Sequence, residues 1–388
     1  MRLIPFDYSV RNLGRSRLRL VLTILASCLV VLLVLTAASF VRGMGKSLVN
    51  DADPANVILL AAGSEESLER SQVPGSAAGV LSASFPGIKN RLGVPFVSPE
   101  IHAAILVRGQ RHSKEEWHAM VRGFTSEAFL VHPRVSVVRG RAPAQGKDEI
   151  MVGALAAEMM GVPESRLAIG NSLWFDNRSW KIVGHFRARG SVLDCELWVP
   201  LTDLQVATKR ETVSCLVVTL EDADFGDMDA FTKQRFDLGL AAISEGDYYA
   251  SIMKFYRPVH AMVWITAILI ALTGLFGGLN TMYAAFAARV RELGMLQSLG
   301  FSRGAIMLSL VQESVLTAAA GTLLASALGL VLMDGLAVKF SMGVFQLATD
   351  YGALLWGAVA GLVMGTVGAF PPAWKCLRLP ITEALKAA

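Results

Sequence analysis

Long apolar runs fall in a one-plus-three pattern along this chain. Residues 20–41, 259–288 and 351–374 contain no Asp, Glu, Lys or Arg, and residues 305–333 contain one, Glu313. A bilayer core is crossed by about 20 apolar residues in helical conformation, so each run is long enough to span it. Residues 42–258, between the first run and the second, have the mixed composition of an ordinary folded domain. The pattern predicts a membrane α-helical protein with four transmembrane helices, arranged 1+3, and an α/β extracytoplasmic domain between the first two.

Within 42–258 the polarity varies on a shorter scale. Asn56–Ala61, 101–107, Trp117–Phe124 and 213–220 read as strands, the last from its β-branched residues. Residues 172–175 and 180–186 flank Asp176-Asn177 as the arms of a hairpin do, and 149–160 and 228–240 carry helical spacing. Residues 63–79, rich in Ser, Glu, Gly and Pro, read as loop with a short helix. Ahead of the first run, Phe6, Val10 and Leu13 recur at helical spacing, which predicts a short amphipathic helix lying on the membrane surface. Small residues are patterned inside the spans. Gly357, Gly361 and Gly365 recur every four residues, as do Gly274 and Gly278, and Gly321, Ala325 and Gly329. Such faces let helix backbones approach closely.

Charge orients this layout. Residues 1–19 are net +4, 289–303 net +2 and 375–388 net +2, whereas 42–258 hold 24 basic and 26 acidic residues and 334–350 is net −1. Short basic loops stay in the cytoplasm, and in a four-span chain the three basic segments share one side. The expected order is a cytoplasmic N-terminus (1–19), a first span (20–41), the extracytoplasmic domain (42–258) and a second span (259–288). A cytoplasmic segment (289–303), a third span (304–333), an external loop (334–350), a fourth span (351–374) and a cytoplasmic tail (375–388) follow. Topology accounts for the basic residues, which speaks against a nucleic-acid role. The first run exceeds the about 7–15 apolar residues of a secretory signal, so an uncleaved anchor is expected despite Ala37-Ala38-Ser39. At 53% hydrophobic residues and a mean hydropathy of +0.48, the chain is too apolar for a soluble domain and too mixed for a purely polytopic protein.

Candidate chemistry is sparse. Cys195 and Cys215 lie in the extracytoplasmic domain, where a disulfide is permitted, and the sequence leaves open whether they pair. Gly45-Lys46-Ser47 looks like the end of a phosphate-binding loop, but Phe40 stands where the first Gly of that loop is required. ATP hydrolysis is therefore expected on another polypeptide. His112, Glu115, Glu116 and His118 lie close together without metal-ligand spacing, and no nucleophile elbow occurs; no catalytic residue and no metal is assigned. A carboxylate within a span is paired or functional. Glu313 reads as a structural or coupling group bonded to Gln312, Ser309 or Ser314.

The segment 289–303 joins the second and third spans. Val290, Leu293, Leu296 and Leu299 form one apolar stripe, with Arg289, Arg291, Glu292 and Ser298 off it, and Gly300 supplies a helix stop. A stripe outside the bilayer core must bury itself at the membrane interface or in a partner's groove. Arg289, Glu292, Leu293, Gly294, Leu299 and Gly300 resemble the coupling segment of the MacB/FtsX family of ABC-transporter permeases, an Arg-x-x-Glu-Ile-Gly run followed by Leu-Gly, with Leu293 in place of Ile. Arg11-Asn12-Leu13, Leu18-Arg19, residues 22–25, Gly140-Arg141, Glu149-Ile150, residues 180–184 and 196–198 and the tail 380–385 resemble the family as well, so the likeness covers nearly the whole chain.

The resemblance implies a permease subunit of the bacterial inner membrane, surrounded by lipid, with both termini cytoplasmic and no enzyme activity of its own. It implies a second permease copy, as homodimer or heterodimer, and a separate ABC ATPase that carries the ATP and Mg. Arg289, Arg291, Glu292, Leu293, Gly294, Met295, Leu296, Leu299 and Gly300 would dock on that ATPase. Gly274, Gly278, Gly357, Gly361 and Gly365 would pack helices. The outer domain would meet substrate or a periplasmic adaptor of the membrane-fusion type. Family members work by mechanotransmission, which implies export or extraction of a hydrophobic substrate such as a lipid, a lipoprotein or a small molecule. The alternative is an FtsX-like regulator that transmits force to an envelope hydrolase, and the size of 42–258 favours the first.

Overall fold

The structure, a computed structural model, describes residues 6–13, 17–49, 52–188, 191–340 and 343–386. The chain forms two compact units. One comprises Met1–Gly43, Arg257–Leu336 and Leu347–Ala388; the other comprises Met44–Tyr256 and Ala337–Gln346.

The first unit holds most of the apolar helices; residues 44–49 and 245–256 of the first two belong to the other unit. Among the described residues, four helices are long and apolar enough to cross a membrane: Arg17–Val49, Glu245–Ala287, Arg303–Leu332 and Tyr351–Val367, the last continued by Phe370–Leu377. The first two greatly exceed the predicted spans, at 33 and 43 residues. Helix Phe6–Leu13 forms as expected, with Phe6 exposed; the Val10 side chain lies outside the described residues. Asp350 ends the loop before the fourth span. Its Oδ1 accepts from the Ala353 amide at 3.0 Å as an N-cap. Its two oxygens also take a bidentate pair from Arg42 of the first span, at 2.6 and 2.7 Å.

The glycine faces do pack helices, with one exception. A Cβ at Gly274 would lie 2.4 Å from Val30, one at Gly357 3.3 Å from Leu35, one at Gly361 2.0 Å from Thr322 and one at Gly365 2.9 Å from the Val315 backbone. Gly278 meets nothing within 4 Å among the described residues, so the expected packing role is not seen there. Gly321 meets the backbone of the first helix at two atoms: a Cβ there would lie 2.9 Å from Ile24 O and 3.0 Å from Cys28 N. Backbone cannot rotate away as a side chain can. Gly321→Leu is therefore expected to part the first and third spans and lower stability by about 1–3 kcal/mol or more, read as a lower unfolding temperature of the chain in detergent. An unchanged temperature would show that the helices do not meet there.

The second unit is an α/β domain on a ten-stranded mixed sheet. The strands run in the order Leu240–Ser244, Asn56–Ala61, Cys215–Thr219, Val97–Val107, Trp117–Phe124, Glu196–Pro200, Glu149–Gly153, Arg178–Arg187, Ser136–Gly140, with Ser172–Phe175 paired to Arg178–Arg187. Glu196–Pro200 runs parallel to Trp117–Phe124, and Glu149–Gly153 parallel to Arg178–Arg187. The hairpin around Asp176 and Asn177 turns as predicted, with both residues at positive φ, 47° and 59°. Alternate residues of the central strands (Val57, Leu59, Ile101, Val121, Leu197, Leu216) build the apolar core, packed with Leu81, Leu204 and Met228.

Three expectations need correction. Residues 149–160 are not one helix: Glu149–Gly153 is a buried interior strand, and only Ala156–Met160 is helical. Sheet pairing on both sides of that strand overrides the helical spacing. The 228–240 helix is Phe225–Gln234, and Leu240 already belongs to an edge strand. The expected loop 334–350 contains an antiparallel ribbon, Ala337–Phe340 with Gly343–Gln346, that belongs to the α/β unit.

Candidate functional site

Residues 289–303 become the helix Val290–Ser298, a stop and the start of the third span. The stop is a Schellman motif. Gly300, at φ 94°, donates its amide to Gln297 O at 3.1 Å, and Phe301 donates to Leu296 O at 3.2 Å. Leu296 and Phe301 also pack against one apolar cluster. Ser302 then caps the third span, its Oγ accepting from the Ala305 amide at 3.2 Å.

The apolar stripe does not wait for a partner. Val290 and Leu293 are buried among Phe286, Ile306, Leu310, Ala373, Leu377 and Ala384, so three helices and the tail helix Ile381–Lys386 close over it. Gly294 makes this possible: a Cβ there would meet the Ala384 Cβ at 3.0 Å. Leu299, counted on the stripe, is 70% exposed instead. It lies beyond the helix, at the cap, where the stripe can no longer follow the helical period. The exposed ridge of this helix is therefore Arg291, Met295 and Ser298, at spacings of three to four residues, with Leu299 four residues past Met295 at the cap.

Arg289 is buried rather than presented. Its Nη1 donates to Glu313 at 3.1 and 3.4 Å and its Nε to Glu292 at 3.3 Å. Asn12, from the N-terminal helix, donates to Glu313 Oε2 at 2.7 Å, the same oxygen that takes the shorter Arg289 bond. Glu313 thus ties together the N-terminal helix, the helix Val290–Ser298 and the third span. Its partners come from across the unit, not from Gln312, Ser309 or Ser314 as expected. One Arg289 nitrogen, Nη2, is buried without a hydrogen-bond partner among the described residues. Asn12 stood out in the sequence only as part of the family likeness; the fold brings it to a residue 301 positions away.

The α/β unit carries a second polar assembly that the sequence did not reveal. Cys215, Glu100, His102, Arg122, Met120, Glu196 and Trp198 lie on one sheet face, because the register pairs Glu100 with Cys215, His102 with Arg122, Glu196 with Met120 and Trp198 with Arg122. Arg122 grips Glu196 through Nε and Nη2 at 2.6 and 2.8 Å, and its Nη1 also donates to Glu100. The guanidinium sits 5.3 Å from the Trp198 ring centre, and the indole donates to Glu196 at 2.7 Å. Glu100, fully buried, also accepts from Ser98 at 2.9 Å and contacts His132 at 2.9 Å and His102 at 3.3 Å. Burial alone would raise the Glu100 carboxyl; Arg122, His132 and His102 hold it well below its usual range. Burial works against the His132 cation too, but Glu100 outweighs it and raises the imidazole. Burial and then Arg122 push His102 down, and burial and then Glu100 push the Cys215 thiol well up.

The remaining candidates resolve simply. Cys195 and Cys215 are not joined: the Cys195 Sγ meets the Val344 amide at 3.1 Å and carbonyl at 3.3 Å, while Cys215 lies beside Glu100 on the sheet. Gly45, Lys46 and Ser47 are part of the first long helix, not a loop. His118 lies in a strand, and Glu116 pairs with Arg108.

Known proteins match both units. Residues 20–233 match the MacB-like periplasmic core domain, and residues 264–381 the FtsX-like permease C-terminal domain. An uncharacterized ABC transporter permease, YknZ of Bacillus subtilis, is 22% identical over 321 residues, 77% of this chain and 78% of that one. The macrolide export ATP-binding/permease protein MacB of Burkholderia pseudomallei is 23% identical over 336 residues, 79% of this chain and 48% of that protein. MacB of Nitrobacter winogradskyi is 38% identical over 130 residues, 33% of this chain and 20% of that protein. The chain thus spans about half or less of the MacB proteins it matches. Among solved structures, the periplasmic region of MacB from Actinobacillus actinomycetemcomitans aligns at 12% identity and a TM-score of 0.39, covering 53% of this chain and 95% of that one. With its four apolar helices and these two matched domains, the chain is a multi-pass membrane protein and belongs to the MacB/FtsX family of ABC-transporter permeases.

Proposed function

We propose that this chain is the permease subunit of an ABC transporter that couples ATP hydrolysis on a separate ATPase subunit to motion of its α/β domain, and so exports or extracts a hydrophobic substrate. The observation that carries this reading is the coupling helix Val290–Ser298. Its inner face is locked to the third span through Arg289 and Glu313, while Arg291, Met295 and Leu299 stay exposed. A ridge so fixed passes a push from a docked partner into the bundle. The helices Arg17–Val49 and Glu245–Ala287 are continuous in sequence with the α/β domain. They provide the route of mechanotransmission. The charge pattern supports an inner-membrane chain with both termini and the coupling helix in the cytoplasm. The ATPase carries the ATP and Mg; a second permease copy and a periplasmic adaptor complete the assembly.

The test uses the exposed ridge. In Met295→Glu and Leu299→Glu, copurification of an ABC ATPase and its permease-stimulated turnover are expected to fall about tenfold, a loss of about 1.4 kcal/mol of docking. The unfolding temperature should not change, since both side chains are exposed. Undiminished turnover in both variants would refute the docking face. A third copurifying protein decides the output: a membrane-fusion adaptor fits export, an envelope hydrolase the regulatory alternative.

A further inference from the structure

The α/β unit opens a cavity of about 150 Å³ over the charged row of its sheet. The volume holds on the order of ten waters. Arg122, His132 and Glu196 line its floor; Tyr248, Tyr249 and Ile252, from the start of the helix Glu245–Ala287, form one wall. Phe340 adds a third aromatic ring, and Glu66 and Glu69 stand at the rim.

The charge balance of this cavity leans negative, with burial raising the Glu245 carboxyl and the rim carboxylates Glu66 and Glu69 adding to Glu196. Glu196 and Glu245 line it, buried, and Glu100 lies in contact with the floor residues. Arg122 and His132 already serve Glu196 and Glu100. One Glu245 oxygen accepts from Asn56 and from the Asp53 amide, each at 2.9 Å. The rim adds two more carboxylates, and Arg122 is the only Lys or Arg among the described lining residues. Aromatic faces add negative potential of their own. A buried site with surplus negative charge and apolar walls favours a cation that sheds its water cheaply.

A metal ion does not meet these terms. Glu100, His102 and Cys215 bring ligand atoms within 4.8 Å of one another. Both Glu100 oxygens, however, are already engaged by Ser98, His132, His102 and Arg122, and the guanidinium beside them repels a dication. An anion would face the carboxylates. We propose that the cavity binds a small organic cation, a protonated or quaternary amine carried on an apolar body, with its charge toward Glu196 and Glu245 and its body against Tyr248, Tyr249 and Phe340. This deepens the permease reading by assigning a ligand class to the outer domain, and it rests on that reading only for the ligand's role as cargo or signal.

Calorimetric titration of the full chain in a neutral detergent tests it, with benzyltrimethylammonium as the probe and benzyl alcohol and benzenesulfonate as neutral and anionic controls. The cation is expected to bind at least about tenfold more tightly than either control. Glu66→Gln/Glu69→Gln, confined to the rim, should weaken it about fivefold, and Ile252→Trp should abolish it by filling the cavity. Equal binding of cation and benzyl alcohol, or cation binding that ignores both variants, overturns the proposal. Should Ile252→Trp fail to fold, the rim variant decides alone. ATPase copurification separates the two readings: retained copurification without cation binding sinks only the cavity site, and cation binding without copurification sinks only the permease role.

Discussion

Glu313→Ala is expected to detach the coupling helix from the third span. In the native chain, Glu313 and Arg289 are each 8% exposed, and Glu313 accepts from both Arg289 and Asn12. Truncation leaves a buried guanidinium that already has one unpartnered nitrogen, with Glu292 at 3.3 Å as its remaining partner. Breaking one side of a buried ion pair costs about 3–5 kcal/mol. The loss should appear as a lower unfolding midpoint in detergent, together with ATPase turnover that no longer responds to the permease. Arg289→Met/Glu313→Leu removes both charges and should be more stable than either single change, because no uncompensated ion remains. If the double variant is as unstable as the worse single one, the pair is not the anchor. Recovered stability with turnover still uncoupled would assign the pair to transmission rather than to folding alone.

The sequence was most legible where one physical signal dominates. Span length exposes the four helices because a bilayer core demands about 20 apolar residues in a row. Strands such as Asn56–Ala61 and Trp117–Phe124 and the Asp176-Asn177 turn were readable from local preference. Legibility failed where long-range pairing decides. Residues 149–153 have helical spacing and become an interior strand because neighbours bond both of its edges. The stripe Val290, Leu293, Leu296, Leu299 was visible, but not what covers it, since the tail helix arrives from some 90 residues later and Leu299 falls past the helix end. The charged row was hidden for the same reason. Glu100, Arg122, His132 and Glu196 are unremarkable apart, and strand register alone makes them one assembly. The sequence instead drew attention to His112 and His118, which happen to be near each other along the chain.

Arg122→Met should destabilise the α/β domain as strongly as Glu313→Ala does the bundle. It strands Glu100, fully buried, and Glu196, 8% exposed, and it removes the cation from the Trp198 face. The expected cost is about 3–5 kcal/mol. Cys215, at 1% exposure on the same sheet face, reports it: maleimide labelling of that thiol, located by mass spectrometry along a urea series, should reach its midpoint earlier in the variant. The pH dependence has a definite sign. In the native chain the Glu100 carboxyl is held low, so its contribution is present above the ordinary carboxylate range and is lost only as pH falls through its depressed value. His132 is raised, so its contribution is complete below about 6.5 and fades as pH rises through its higher value. Without Arg122, burial dominates at Glu100 and raises its carboxyl, so acid neutralises the stranded charge. The gap between variant and native protein should therefore narrow as pH falls from 7 to 5. Glu100→Gln/Arg122→Met should close part of that gap at pH 7, because a neutral amide needs no guanidinium. A gap that widens on acidification, or a labelling midpoint unmoved by Arg122→Met, would mean that the carboxylates are balanced by something other than this arginine.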